Sequence, residues 1–185
     1  MHPHHQDIHH LSVHKELNEL YLNMGLRAFA LSLLAIFIPL YLLDLGYPLP
    51  AVLWMFALWS FIHVVLTPAV AKCVSRFGIK HTILFSLVPL IVGYLGLYSI
   101  ETYRWPLWSI SILFALSSTM FWFAYHLDFS KFSDHKKRGK EIGKAKIIAS
   151  LFLVAGPAVG GYLVVTIGFQ ALFLISIGIL MLSTI

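Results

Sequence analysis

Charge is what this sequence has least of. Asp, Glu, Lys and Arg make up 11% of its 185 residues, while 59% are apolar. Soluble domains average about 25% charged and about 45–50% apolar. So few polar side chains cannot cover a core that size, and a water-soluble fold is excluded. The one cysteine, Cys73, rules out an intrachain disulfide and any cysteine-rich zinc site. No A-x-A-type cleavage site follows the first apolar run, so a removable signal peptide is not expected. Carboxylate clusters, a Ser-His-Asp arrangement and a glycine-rich phosphate loop are all missing, and no cofactor, no metal and no enzymatic activity are expected.

What the chain does have is apolar length. Its mean hydropathy is +0.83. A helix needs roughly 20 residues to cross a hydrocarbon core of about 30 Å. Six runs meet or approach this: Leu26–Leu43, Pro50–Ala71, Thr82–Ile100, Leu107–Leu127, Ile147–Ile167 and Phe169–Ile185. Backbone groups in lipid must be satisfied within their own segment, so the runs are expected to be helices. The fold class expected is all-α, a polytopic membrane protein with six transmembrane helices.

The basic residues show which way it is threaded. Lys72, Arg76 and Lys80 lie between the second and third runs, and seven more between Lys131 and Lys146 follow the fourth. Lys15 and Arg27 flank the first run. Arg104 alone, opposite Glu101, falls on the other side, so twelve of the thirteen basic residues share one side. The positive-inside rule makes that side cytoplasmic, with the N-terminus there too and the protein integral to the cytoplasmic (inner) membrane. A formal charge of +5 confined to such connectors reflects topology, and no nucleic-acid partner is expected. Residues 1–25 are expected to form a cytoplasmic tail rich in histidine, ending in a short amphipathic helix from Val13 to Asn23 that lies in the interface. His2, His4, His5, His9, His10 and His14 lack a regular ligand spacing and read as a polar tail. Residues 26–185 form the transmembrane domain, and because the chain stops inside an apolar run, the sixth helix reads as truncated.

Two stretches carry motifs. In the fifth run, Gly156 and Gly160 make a G-x-x-x-G face that lets a second helix approach closely, and Pro157 removes one backbone hydrogen bond. Between the second and third runs, Ala71 to Lys80 forms a basic turn in which Gly78 can supply a positive φ. Together these resemble the major facilitator superfamily of secondary transporters. The turn is similar to that family's G-x-L-A-D-R-x-G-R-K signature: Arg76, Gly78 and Lys80 match, while Ala71, Cys73, Ser75 and Ile79 depart. The fifth run resembles G-x8-G-x3-G-P-x2-G-G, with Gly143, Gly156, Pro157, Gly160 and Gly161 in register and Phe152 in place of a glycine. The family's R-x-x-Q-G signature has no counterpart in the fourth run. The resemblance implies two inverted three-helix repeats, half of a twelve-helix fold. It also implies secondary transport of a small solute by alternating access, with a coupling ion and a missing C-terminal half as partners. Arg76, Gly78, Lys80, Asp128, Gly156, Pro157, Gly160 and Gly161 would then form the conformational motif, Asp128 pairing with Arg76 or Lys80 or else ending the fourth helix as a solvated acid. The alternative is a complete six-helix protein with an assembly or intramembrane enzymatic role.

Ionisable groups at membrane depth are costly and mark candidate sites. His63 is well inside the second run, either taking up a proton or contacting a solute, or else bonded as a neutral imidazole between helices, which is the expectation. Arg27, one turn inside the first run, is expected to snorkel to the surface, with a solute contact as the alternative. Trp122, Tyr125 and His126 fit an aromatic belt, although Tyr125 is also a candidate for the solute or proton pathway.

Overall fold

The computed structural model describes residues 22–132 and 138–183, nearly all of them helical. The histidine-rich segment, most of the amphipathic segment and positions 133–137 of the basic connector lie outside the described residues. We label the helices α1 (Leu22–Asp44), α2 (Leu49–Phe77), α3 (Ile79–Tyr98) and α4 (Leu107–Phe132). A single helical turn, Ile100–Tyr103, follows α3. The final helical run, Arg138–Leu182, is divided at Gly168 (φ 85°, ψ 169°) into α5 (138–167) and α6 (169–182). Undivided, its 41-residue stretch Ile142–Leu182 would extend about 62 Å, twice the hydrocarbon thickness. The break at Gly168 makes two crossings of one run.

Several helices outrun their apolar stretches. α2 continues to Phe77, so Lys72 to Arg76 ride on its last turns and Gly78 alone connects it to α3. α4 continues to Phe132, and Asp128 is 7% exposed within it. The solvated helix-end reading of Asp128 is therefore incorrect. α5 begins by Arg138, which places Lys140, Lys144 and Lys146 on a helix. Hydropathy marks only the part of a helix that lipid covers, whereas the backbone ladder carries on through the headgroup layer, where the full bilayer is about 40–45 Å thick.

Proline explains the two internal interruptions. The regular α-helix is interrupted at Ile36 in α1 and at Ser86 in α3, each three residues before a proline, Pro39 and Pro89, although Ser86 N–H still donates to Thr82 O at 3.0 Å. A proline has no N–H to offer the carbonyl four residues back. At its far end α1 closes with the paired bonds Tyr47 N–H to Leu42 O and Gly46 N–H to Leu43 O, both 3.0 Å. Gly46 has φ 83° there, the Schellman arrangement.

Contacts along the helices fix their directions. Met55 O accepts from Ser111 and His63 reaches Thr119, so α2 and α4 run parallel. Arg27 meets Ser86 and Tyr41 meets Glu101, so α1 and α3 are parallel. Ser32 faces Gly156 and Phe37 faces Gly160, which makes α5 parallel to them. α3 and α4 oppose one another, Gly93 against Phe114 and Gly96 against Ile110. α6 opposes α1: Asn23 Nδ2 donates to Ser183 O at one end, and Tyr41 stacks near Phe169 at the other. The six helices thus alternate in direction, and the described basic residues, Arg104 excepted, gather towards one end of the bundle. Gly78 (φ 84°, ψ 162°) and Gly168 (φ 85°, ψ 169°) link the second to the third and the fifth to the sixth helix at opposite ends. The same hinge at corresponding places in α1–α3 and α4–α6 is what two inverted three-helix units require.

Lipid tails are as apolar as leucine, so helices in a membrane associate through close packing and interhelical hydrogen bonds. The α1–α5 seam shows both. A Cβ built on Gly156 would lie 2.6 Å from Ser32 Cβ and 2.9 Å from the Ser32 carbonyl carbon. One built on Gly160 would lie 2.5 Å from Leu33 O and 2.8 Å from the Phe37 ring. Between them Ser32 Oγ donates to Phe152 O at 2.9 Å. Phe152, which departs from the glycine pattern, is accommodated by its partner helix: a Cβ on Gly25 would come within 3.0 Å of its ring.

Candidate functional site

A stripe on α1 (Arg27, Leu31, Ala35, Ile38) recurs at near-helical spacing, so all four residues face the same neighbours. Those neighbours are Phe56 and Trp59 of α2, Leu90 and Tyr94 of α3, and Phe114, Ser117, Ser118 and Trp122 of α4. Together they line a partly open cavity of about 220 Å³. A larger cavity, about 520 Å³, lies among the connectors at the opposite end from Lys72, Arg76 and Lys80, bounded by Tyr47, Glu101 and Arg104. There Tyr41 Oη donates to Glu101 Oε1 at 3.1 Å and Gln170 Nε2 to Glu101 Oε2 at 3.3 Å, tying α1 and α6 to the turn after α3.

Arg27 dominates the inner cavity. It is 3% exposed. Nη1 donates to Ser86 Oγ at 3.3 Å and Nη2 to Ser117 Oγ at 3.1 Å. The guanidinium carbon sits 3.8 Å above the centre of the Phe121 ring. Snorkelling is thereby overturned, because the side chain points into the bundle between α3 and α4 rather than along its lipid-facing surface.

His63 stands one turn from Trp59 along α2, and both grip the same serine. Trp59 Nε1 donates to Ser118 Oγ at 3.1 Å, and His63 Nδ1 lies 3.0 Å from Ser118 Oγ and 3.1 Å from Thr119 Oγ1. The imidazole joins α2 to α4, as expected of a histidine bonded between helices, and touches the cavity only through Ser118. Tyr125 does not line the cavity. It is buried in a ladder of rings with Phe121 (5.7 Å, stacked) and Phe129 (6.0 Å) towards the basic end. Of the three residues singled out for a solute or proton path, the structure puts Arg27 in the cavity wall, His63 just behind it and Tyr125 outside it.

Ser117, Ser118, Trp59 and Tyr94 escaped the sequence reading. A signal for two of them was present, since Ser117-Ser118-Thr119 is a run of three hydroxyls in the middle of an apolar span. Arg76 lies exposed over the ring of Phe77, 5.9 Å from its centre.

The sequence profile of the Major Facilitator Superfamily matches residues 20–185. The chain belongs to the Major Facilitator Superfamily. No curated protein matches it. Membership places an integral membrane protein in a family that moves small solutes across membranes, and the six alternating apolar helices are the architecture such a protein needs.

Proposed function

We propose that the protein is a secondary transporter rather than an enzyme, passing a small solute through the Arg27 cavity by alternating access. The carrying observation is that cavity: a bilayer-length bundle holds a charged, hydroxyl-bearing pocket where lipid depth makes such groups expensive. A second six-helix unit closes its open side, and a coupling ion drives the cycle. The glycine seam of α1 and α5, with Pro157 and Gly161, is the surface on which the helices shift. Arg76, Gly78, Lys80 and Asp128 hold the basic end in one state. The basic end faces the cytoplasm of the inner membrane, which puts the N-terminus inside the cell.

Accessibility tests the solute path. In a Cys73→Ser background, Ser118→Cys is expected to react with a hydrophilic maleimide from either face of the membrane. Failure to react from both faces would close the cavity as a route. Orientation is tested separately. Cysteines at Tyr47 and Tyr103 should label from outside intact cells, and native Cys73 only after permeabilisation. Labelling of Cys73 from outside would reverse the topology.

A further inference from the structure

Arg27 has more donors than its surroundings satisfy. A guanidinium carries five N–H groups. Among the described residues its hydrogen-bond partners are the hydroxyls of Ser86 and Ser117, and its Nε is buried with no partner. Both partners are neutral, and Ser86 Oγ already donates to Ile83 O at 2.6 Å. The Phe121 ring offers a quadrupole below the cation, which offsets part of the charge and none of the missing hydrogen bonds. Among the described residues no acid bonds to it, and a cation held this deep on neutral partners is strongly unfavourable. Hydrogen bonds and charge complementarity from a carboxylate would reverse that, because Arg presents a fork matched to two carboxylate oxygens.

The remainder of the cavity describes the rest of the ligand. Beyond Arg27 and the two serines of α4, its wall is mostly aromatic and aliphatic, including Trp59, Tyr94, Phe114 and Trp122. The part of the cavity that this bundle walls measures about 220 Å³, below the roughly 300–1,000 Å³ usual for a complete ligand pocket, as fits one wall of a site completed by a second unit. An inorganic anion would leave the aromatic wall unused, and a sugar would leave the cation unbalanced. We propose that the solute is a small organic anion, a monocarboxylate with an apolar or aromatic body, whose head group binds Arg27 and whose body packs on these rings. This deepens the transport reading and rests on it.

The test is equilibrium binding of labelled benzoate, phenylacetate and hexanoate to the protein in lipid nanodiscs, with competition by unlabelled ligands. Saturable binding of at least one acid is expected. Its uncharged amide and inorganic phosphate are each expected to compete at least about tenfold less well, the scale of one charge-assisted hydrogen bond. Arg27→Gln should lose that preference for acid over amide, and the milder Ser117→Ala should weaken acid binding severalfold. Because the acid–amide comparison is made on the unaltered protein, poor folding of Arg27→Gln does not remove the test. Equal competition by acid and amide, phosphate competing as well as the acid, or no saturable binding of any of the three acids overturns the proposal. If Ser118→Cys still reacts from both faces in that case, the transport reading stands and only the anion assignment fails.

Discussion

Leucine at Gly156 is expected to separate α1 from α5, and the same substitution at Gly178 is expected to be almost silent. The two glycines sit in comparably apolar stretches, so lipid solubility predicts no difference between them. Packing predicts a large one. A Cβ at Gly156 would fall within 3 Å of the Cβ and carbonyl carbon of Ser32, whereas one at Gly178 would meet nothing within 4 Å. The Ser32 carbonyl carbon belongs to the α1 backbone, so no rotamer change can make room. An overpacked core typically loses about 1–3 kcal/mol, and the upper end is expected here because the obstacle is backbone. The measurement is the unfolding midpoint of each variant in mixed micelles, with uptake in vesicles as a second readout. Gly156→Ala should fall between the native protein and Gly156→Leu, since the first carbon already collides. Ser32→Gly should recover part of the Gly156→Ala loss by vacating the same space, a coupling that a double-mutant cycle reads directly. Equal tolerance of leucine at Gly156 and Gly178 would refute the seam.

That seam is legible in the sequence because close approach leaves a mark that does not depend on the partner: glycine at i and i+4 in an otherwise bulky helix. That mark does not say which helix the seam meets. The six crossings were legible for a similar reason, since hydropathy and the one-sided placement of Lys and Arg are properties of each segment alone. Arg27 was misread because its role depends on how α1 is rotated. Facing lipid it would snorkel, and facing α3 and α4 it is buried, while the local sequence is identical in the two cases. The stripe it shares with Leu31, Ala35 and Ile38 pointed inward only once Ser86 and Ser117 were seen beside it. Asp128 was misjudged differently. Apolar content stops near Leu127, but α4 does not, and its next turn places Phe129 in a buried cluster with Tyr125 and Met24. Phe152 appeared as a fault in a glycine motif, when the space it needs is left by Gly25 across the seam.

Gly78 and Gly168 should respond to substitution in the opposite manner to Gly156. Both have a φ near +85° with ψ of 162° and 169°, a region essentially reserved for glycine. A Cβ at either position would meet nothing within 4 Å. The penalty there is conformational and is incurred in full by the first carbon. Alanine at Gly78 or Gly168 is therefore expected to cost about 1–3 kcal/mol through backbone strain, and leucine about the same. At Gly156 the cost should instead climb with side-chain size. The two hinges lie at opposite ends of the bundle and share no partners, so the losses of a Gly78→Ala, Gly168→Ala double variant should add to within about 0.5 kcal/mol. Unfolding midpoints of the alanine and leucine variants at all three glycines separate the two mechanisms. A cost at Gly168 that rises steeply from alanine to leucine would mean that a neighbour crowds the hinge. The turn between α5 and α6 would then be held by packing rather than by the one backbone conformation that only glycine adopts freely.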